Sequence, residues 1–228
     1  MKKILISLTT ALLTAPAINA QITLNSSSFT STFAGTTDTL LNSGAGVTYP
    51  ALAPAASANW DMNSAVLATP VAYGYNVAPY TAAFSSAQFA DSVSLTFTTY
   101  SYIANIEKGF TTTGYEQYGQ HINRQAILLT TGATDSLIFN AQNMVYSTPY
   151  MLLGFPATYN AHWSSSFSDS LTFLLDVTLA SFHNTPAALK SSVTETDTVV
   201  GWGEMKVKET SGSSSKYQLV SCHTYYDA

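Results

Sequence analysis

The chain has 228 residues, of which 46% are hydrophobic and only 9% charged, with a formal net charge of -5. Ordinary soluble domains carry roughly 25% charged residues, and with 14 Tyr and 11 Phe this chain is neither disordered nor a charged coiled coil. Beyond Lys2 and Lys3 the basic residues are Lys108, Arg124, Lys190, Lys206, Lys208 and Lys216. They are scattered, which excludes a nucleic-acid surface built on clustered cations.

Residues 1–20 read MKKILISLTTALLTAPAINA. Two lysines, an apolar run broken by threonines and a small-residue end make a secretory signal peptide, with cleavage expected after Ala20. The run is too short to cross ~30 Å of hydrocarbon. No later stretch is apolar enough either, so no transmembrane span is expected in the mature chain. Residues 21–228 are expected to form a single β-rich domain, extracellular or on the outer cell surface and periplasmic in transit. The export machinery is then its first partner. Cys222 is the only cysteine, so there is no internal disulfide and no thiolate zinc site. It reads as a small buried residue near a strand end, with intermolecular pairing as the alternative.

Period-two patterning dominates, which marks strands. In chain order the expected strands are 22–25, 37–41, 93–97, 123–131, 136–140, 143–146, 171–179, 193–207 and 216–223. Residues 51–90, rich in Ala, Pro, Ser and Tyr, read as a long excursion packed over the sheets. Val93, Leu95 and Phe97 alternate with polar residues; beyond them the apolar parity flips to Tyr100, Tyr102, Ala104 and Ile106. A one-residue bulge near Thr98 and Thr99 accounts for the flip. Turn signals fall at Asn42-Ser43-Gly44, Thr131-Gly132-Ala133, Asn184-Thr185-Pro186 and Ser211-Gly212-Ser213. Many short strands separated by polar turns predict an all-β fold, an antiparallel two-sheet sandwich or a jelly-roll-like arrangement. Its core is expected to hold Val93, Leu95, Phe97, Leu171, Phe173, Leu175, Val177 and Trp202. Gly201 and Gly203, flanking Trp202, suggest a close neighbour or a bulge.

Chemistry is sparse. None of the four histidines lies in a recognised metal spacing, and no G-x-S-x-G elbow is present. Glu107, Glu116 and His121 could meet across a hairpin, or stand as exposed polar residues on it. The acids are scattered singly, so no carboxyl pair of glycosidase type can be nominated. No catalytic residue, metal site or cofactor is therefore expected. Aromatic density remains. Tyr73, Tyr75, Tyr80, Tyr100, Tyr102, Tyr115, Tyr118, Tyr146, Tyr150 and Tyr159 exceed what a core requires, and tyrosine suits sugar stacking or a protein interface. Tyr73, Tyr75, Tyr80, Tyr115 and Tyr118 are the candidate ligand-facing aromatics. Ordinary sheet packing accounts for the same rings.

Three segments carry a family resemblance. Ala58-Asn59-Trp60-Asp61-Met62 resembles an "aNqtWDfs" element. The stretch 152–163, LLGFPATYNAHW, resembles "L-x-FP-x-tYg-x-sW". Gly201-Trp202-Gly203-Glu204-Met205-Lys206-Val207 with Tyr217-Gln218-Leu219-Val220 resembles "GyGtLxxP…y-x-vLrv". In this order they are similar to uncharacterised β-rich secreted proteins of Bacteroidetes, which often end in a C-terminal sorting domain read by the type IX secretion system. The resemblance implies an exported β-rich fold and no particular activity. Lys208 stands where the family often has proline, and no sorting domain follows Ala228 in this sequence.

Five aspartates are followed by Ser or Thr and then Leu or Val: Asp38-Thr39-Leu40, Asp91-Ser92-Val93, Asp135-Ser136-Leu137, Asp169-Ser170-Leu171 and Asp197-Thr198-Val199. The pattern resembles the D-[ST]-apolar acceptor of O-glycosylation in exported Bacteroidetes proteins, making Thr39, Ser92, Ser136, Ser170 and Thr198 candidate sites. A strand entry, with Asp closing a turn and the hydroxyl pointing outward, would produce the same triplet. The expected function is a non-catalytic surface or interaction protein, partnered by surface glycans or other surface proteins. The alternatives are a glycan-binding module using exposed tyrosines and a hydrolase with an unrecognised site.

Overall fold

The computed structural model describes residues 22–29, 37–43, 57–61, 67–97, 100–129, 135–208 and 214–227; within these, side chains at 37–43, 67–75, 96–100, 207–208 and 214–227 are left aside. Residues 1–20, expected to be a signal peptide, and the turns expected at residues 131–133 and 211–213 lie outside the described residues. Twelve strands follow one another: β1 Thr37–Ser43, β2 Ala58–Asp61, β3 Leu67–Val77, β4 Phe89–Phe97, β5 Tyr100–Phe110, β6 Gly114–Ile122, β7 Gln125–Leu128, β8 Ser136–Phe139, β9 Gln142–Gly154, β10 His162–Val177, β11 Phe182–Lys208 and β12 Ser214–Asp227. They form two sheets ordered β1-β3-β4-β5-β6-β9 and β12-β11-β10-β8-β7, antiparallel except where β2 runs parallel to β11.

The two sheets face each other across one core. Ala104, Ile122 and Met144 of the first meet Phe139 and Leu171 of the second, with Leu95, Tyr102, Ile127, Leu137 and Phe173 packed around them. Stacked aromatic pairs fill the seam, Tyr102 with Phe139 at 5.4 Å and Tyr146 with Phe167 at 4.0 Å between centroids. The all-β sandwich expected from the sequence is the fold found.

Several expectations about its parts need correction. Only Leu171 of the expected core is fully buried; Val93, Leu95, Phe173, Leu175, Val177 and Trp202 are half-buried, and the Phe97 side chain lies outside the described ones. Leu179 is 97% exposed, because β10 ends at Val177 and Leu179 sits in the 3-10 turn Thr178–Ala180 that tips the hairpin. The parity flip after Phe97 is not a bulge. The chain reverses there, pairing Phe97 with Tyr100, Leu95 with Tyr102 and Val93 with Ala104. Direct partners point to the same face, so a two-residue connection must switch the parity.

Asn184-Thr185-Pro186 is not a turn either; it lies inside β11, and Pro186 pairs with Leu174. The register slips between Leu175 and Val177, and Asn184 takes up the extra length at φ 52°. Asparagine tolerates that left-handed conformation better than most residues. Residues 51–90 are not a single excursion, since they contain β2, β3 and the start of β4; among their described residues the connection at 78–88 is the part that packs over a sheet. Residues 22–25 make one bridge, Leu24 to Ala157, in place of a strand. The close neighbour and the bulge suggested at Gly201 and Gly203 are both found. The register shifts between Val199 and Gly201, and a Cβ on Gly203 would lie 2.0 Å from the Ala58 carbonyl oxygen of β2.

Strand edges that lack a main-chain ladder are covered by glutamine side chains. Gln125 accepts from the Ile103 N–H and donates to the Ile103 carbonyl, both at 2.8 Å. Gln142 does the same for Thr172, at 3.0 and 2.8 Å, and Gln88 for Phe110, at 3.1 and 2.9 Å. A primary amide has the donor and acceptor of a peptide group, so it completes the hydrogen bonds that an adjacent strand would have made. Ser165 acts similarly between the sheets: its hydroxyl accepts from the Met151 N–H at 2.9 Å and donates to the Met151 carbonyl at 3.4 Å.

Candidate functional site

The connection from β9 to β10, residues 155–161, is fastened to three distant parts of the chain. The Phe155 N–H donates to the Thr113 carbonyl at 2.7 Å, in the β5–β6 turn. Ala157 exchanges two bonds with Leu24, at 2.9 and 3.1 Å. Asn160 donates to the Val199 carbonyl at 2.9 Å, and Val199 donates back to Ala161 at 2.8 Å. Asn160 itself is left-handed at φ 67°. This frame holds a surface cleft of about 460 Å³, whose lining combines Phe155, Pro156, Tyr159 and Trp163 with Thr113, Thr158, Asn160 and His162. Tyr159 and His162 are exposed, whereas Phe155 and Trp163 are half-buried. Trp163 lies flat against the end of β9, because Gly154 has no Cβ; one built there would come within 3.0 Å of the indole. Among the described residues, no carboxylate, ammonium or guanidinium lines the cleft.

Glu107, Glu116 and His121 are not the exposed polar residues of a hairpin, since Glu107 is buried and the other two are half-buried, and the cluster that a hairpin would allow forms only in part. Glu107 is 0% exposed, sealed beneath the 78–88 connection, and its Oε2 accepts from the Tyr80 N–H at 3.2 Å. Its Oε1 has no hydrogen-bond partner among the described residues. Burial raises its pKa above the ordinary value, against the lowering effects of the Tyr80 N–H and of nearby His121. His121 stacks on Tyr80 at 4.3 Å and is hydrogen-bonded to Asn143 at 2.7 Å. Glu116 belongs elsewhere. It accepts from Thr111 at 3.2 Å, and together with burial it pushes the Tyr118 hydroxyl up to about 12.

A second acid pair was not anticipated from the sequence. Glu195 and Asp197 share the buried face of β11, and the Tyr150 hydroxyl donates to Glu195. Burial, and after it the Asp197 carboxylate, hold the Glu195 pKa above the ordinary range, although the Tyr150 bond works the other way. Their i, i+2 spacing is what places two residues on one strand face. Among the described residues no group of three or more His, Cys, Asp or Glu could hold a metal ion.

The three candidate tyrosines with described side chains do not gather on one exposed face. Tyr80 is exposed over His121, Tyr118 is buried, and Tyr115 is half-buried against Phe110 at 4.6 Å; Tyr73 and Tyr75 lie outside the described side chains. The ring that does reach an open cleft is Tyr159. A run of Phe, Pro, Tyr, Asn, His and Trp within nine residues was the available signal, but only the fold supplies Thr113 from the neighbouring turn.

The Asp-hydroxyl-apolar triplets are mostly not strand entries. Those at Asp91, Asp169 and Asp197 lie within β4, β10 and β11, and only Ser136 begins a strand. Ser136 is buried, Ser92 and Thr198 are half-buried, and Ser170 is exposed; the Thr39 side chain lies outside the described ones. Their aspartates have local partners: Lys108 for Asp91, the Ser191 hydroxyl for Asp169, and the Thr178 N–H for Asp135. No known protein family, curated protein or solved structure matches the chain.

Proposed function

We propose that this is an exported protein of the extracellular space or outer cell surface that acts by binding and carries out no reaction of its own. The observation that carries this reading is the preformed cleft at 155–163. Its frame is fixed by main-chain bonds to Thr113, Leu24 and Val199, so little conformational freedom is lost when a ligand settles there. Export is supported by the leader-like residues 1–20 and by the resemblance to secreted Bacteroidetes proteins, with the export machinery as the partner in transit. No helix among the described residues is long and apolar enough to cross a membrane. The labelled mature protein should be retained on intact bacterial cells or their extracellular material. Loss of that retention after periodate or protease treatment would identify a glycan or a protein partner. No retention, together with an uncleaved N-terminus in the native host, would overturn the reading.

O-glycosylation is proposed for Ser170 alone among the described triplet hydroxyls, because Ser92, Ser136 and Thr198 are buried or half-buried whereas Ser170 is exposed on a strand face. Intact mass of protein from a host that glycosylates such triplets should exceed the bare polypeptide, and Ser170→Ala should remove the excess. A bare mass for the unsubstituted protein would end the idea.

A further inference from the structure

We infer that the 155–163 cleft binds a neutral carbohydrate, a short stretch of an uncharged glycan chain. This rests on the reading of the protein as a binding module and adds the ligand class.

Four observations narrow the class. Among the described residues the lining has no Asp, Glu, Lys or Arg, so an anionic or cationic ligand would find no counter-charge there while losing its water. The amides of Phe155, Ala157, Asn160 and Ala161 are all engaged within the protein. A peptide strand would therefore find no ladder to join. The cleft combines aromatic rings, Tyr159 being 36% exposed, with short polar groups on Thr113, Asn160 and His162. A pyranose presents the complement, an apolar C–H face for the ring and a rim of hydroxyls for amide, hydroxyl and imidazole. Finally, a volume of about 460 Å³ lies within the roughly 300–1,000 Å³ range of small-molecule sites. Tyr159 is the contact residue; Gly154 is a positioning residue, since its missing Cβ sets where the Trp163 ring lies.

The test is a glycan array probed with the purified mature protein, followed by calorimetric titration of the best neutral oligosaccharide. Tyr159→Ala should weaken binding by about tenfold or more, as loss of an aromatic anchor does. Tyr159→Phe should keep most of the affinity, and His162→Ala should lose part of it. Tyr80→Ala, at an exposed ring outside the cleft, should bind as the unsubstituted protein does. Affinity should be insensitive to salt, because no charge is involved. All three substituted side chains, Tyr159, His162 and Tyr80, are exposed, so unchanged melting temperatures are expected and exclude misfolding as the cause. Binding to no neutral glycan, or only to sulfated or uronic ones, overturns the inference. Binding that survives Tyr159→Ala unchanged overturns the placement in the cleft. In either case, retention on intact cells decides separately whether the protein is a binding module.

Discussion

Gly119 has φ +150°, and a Cβ there would lie 2.1 Å from the Met144 carbonyl oxygen and 2.7 Å from the Phe84 ring. Gly119→Ala should therefore cost about 3 kcal/mol or more, from backbone strain and overpacking together. The check is a lower urea midpoint at an unchanged slope. Nothing in Tyr118-Gly119-Gln120 announces this, because the conflict comes from β9 and the 78–88 connection. The Gly201 and Gly203 pair was legible, since two glycines around a tryptophan inside a strand pattern call for a close neighbour. Glu107 makes a different prediction. Its folded-state pKa is raised above the ordinary 4.5 by burial. Its share of stability is therefore complete below about pH 4.5 and declines as pH rises through the folded value. Glu107→Gln keeps an acceptor for the Tyr80 N–H and cannot ionise. The fall in urea midpoint between about pH 5 and pH 8 should shrink in that variant; an unchanged fall would assign the pH dependence to other groups, Glu195 first.

At the scale of elements, the strands with clean alternation were readable and their ends were not. In 171–179 the apolar period runs on to Leu179, two residues past the point where β10 stops. Periodicity measures side-chain parity and does not mark where the chain turns: Leu179 keeps the parity of β10 although it already lies in the turn. β3 was missed for the opposite reason. Leu67, Val71, Tyr73, Tyr75 and Val77 alternate with smaller residues, but Pro70 and Gly74 are strand breakers by local propensity. Neighbours β1 and β4 override that propensity. The glutamines that cover open edges were invisible, because Gln reads as surface polarity in any local window. Gln125→Ala should remove two hydrogen bonds and cost about 1–3 kcal/mol. Amide exchange at Ile103 should then quicken more than at core amides such as Ile122, and Gln142→Ala should do the same at Thr172.

For the whole molecule, the outer face of β10 and β11 replaces charge with hydroxyls. Ser164, Ser166, Ser168 and Ser170 stand opposite Thr196, Thr194, Ser192 and Lys190, and all are exposed. A chain with 9% charged residues depends on such a face for its hydration, whereas ordinary surfaces depend on Lys and Glu. Replacing Ser166 and Thr194 together with valine should leave the fold intact and bring on precipitation at lower protein concentration. Static light scattering against concentration measures it. The same scale explains why the cleft was only half legible. Its aromatic residues lie within nine positions of one another in sequence, but the Leu24, Thr113 and Val199 backbones that frame it come from 131 residues upstream to 44 downstream of Phe155. Only the closed sandwich brings them together.

The glutamine-covered edges also set a chemical clock. Deamidation of Gln88, Gln125 or Gln142 replaces an amide with a carboxylate, which no longer donates and now turns a negative charge toward a carbonyl oxygen. The edge residue keeps its N–H partner and loses the other, so each conversion leaves a strand margin open to other chains without touching the core. Old or alkali-treated protein would then associate through those margins while its circular dichroism still looked native.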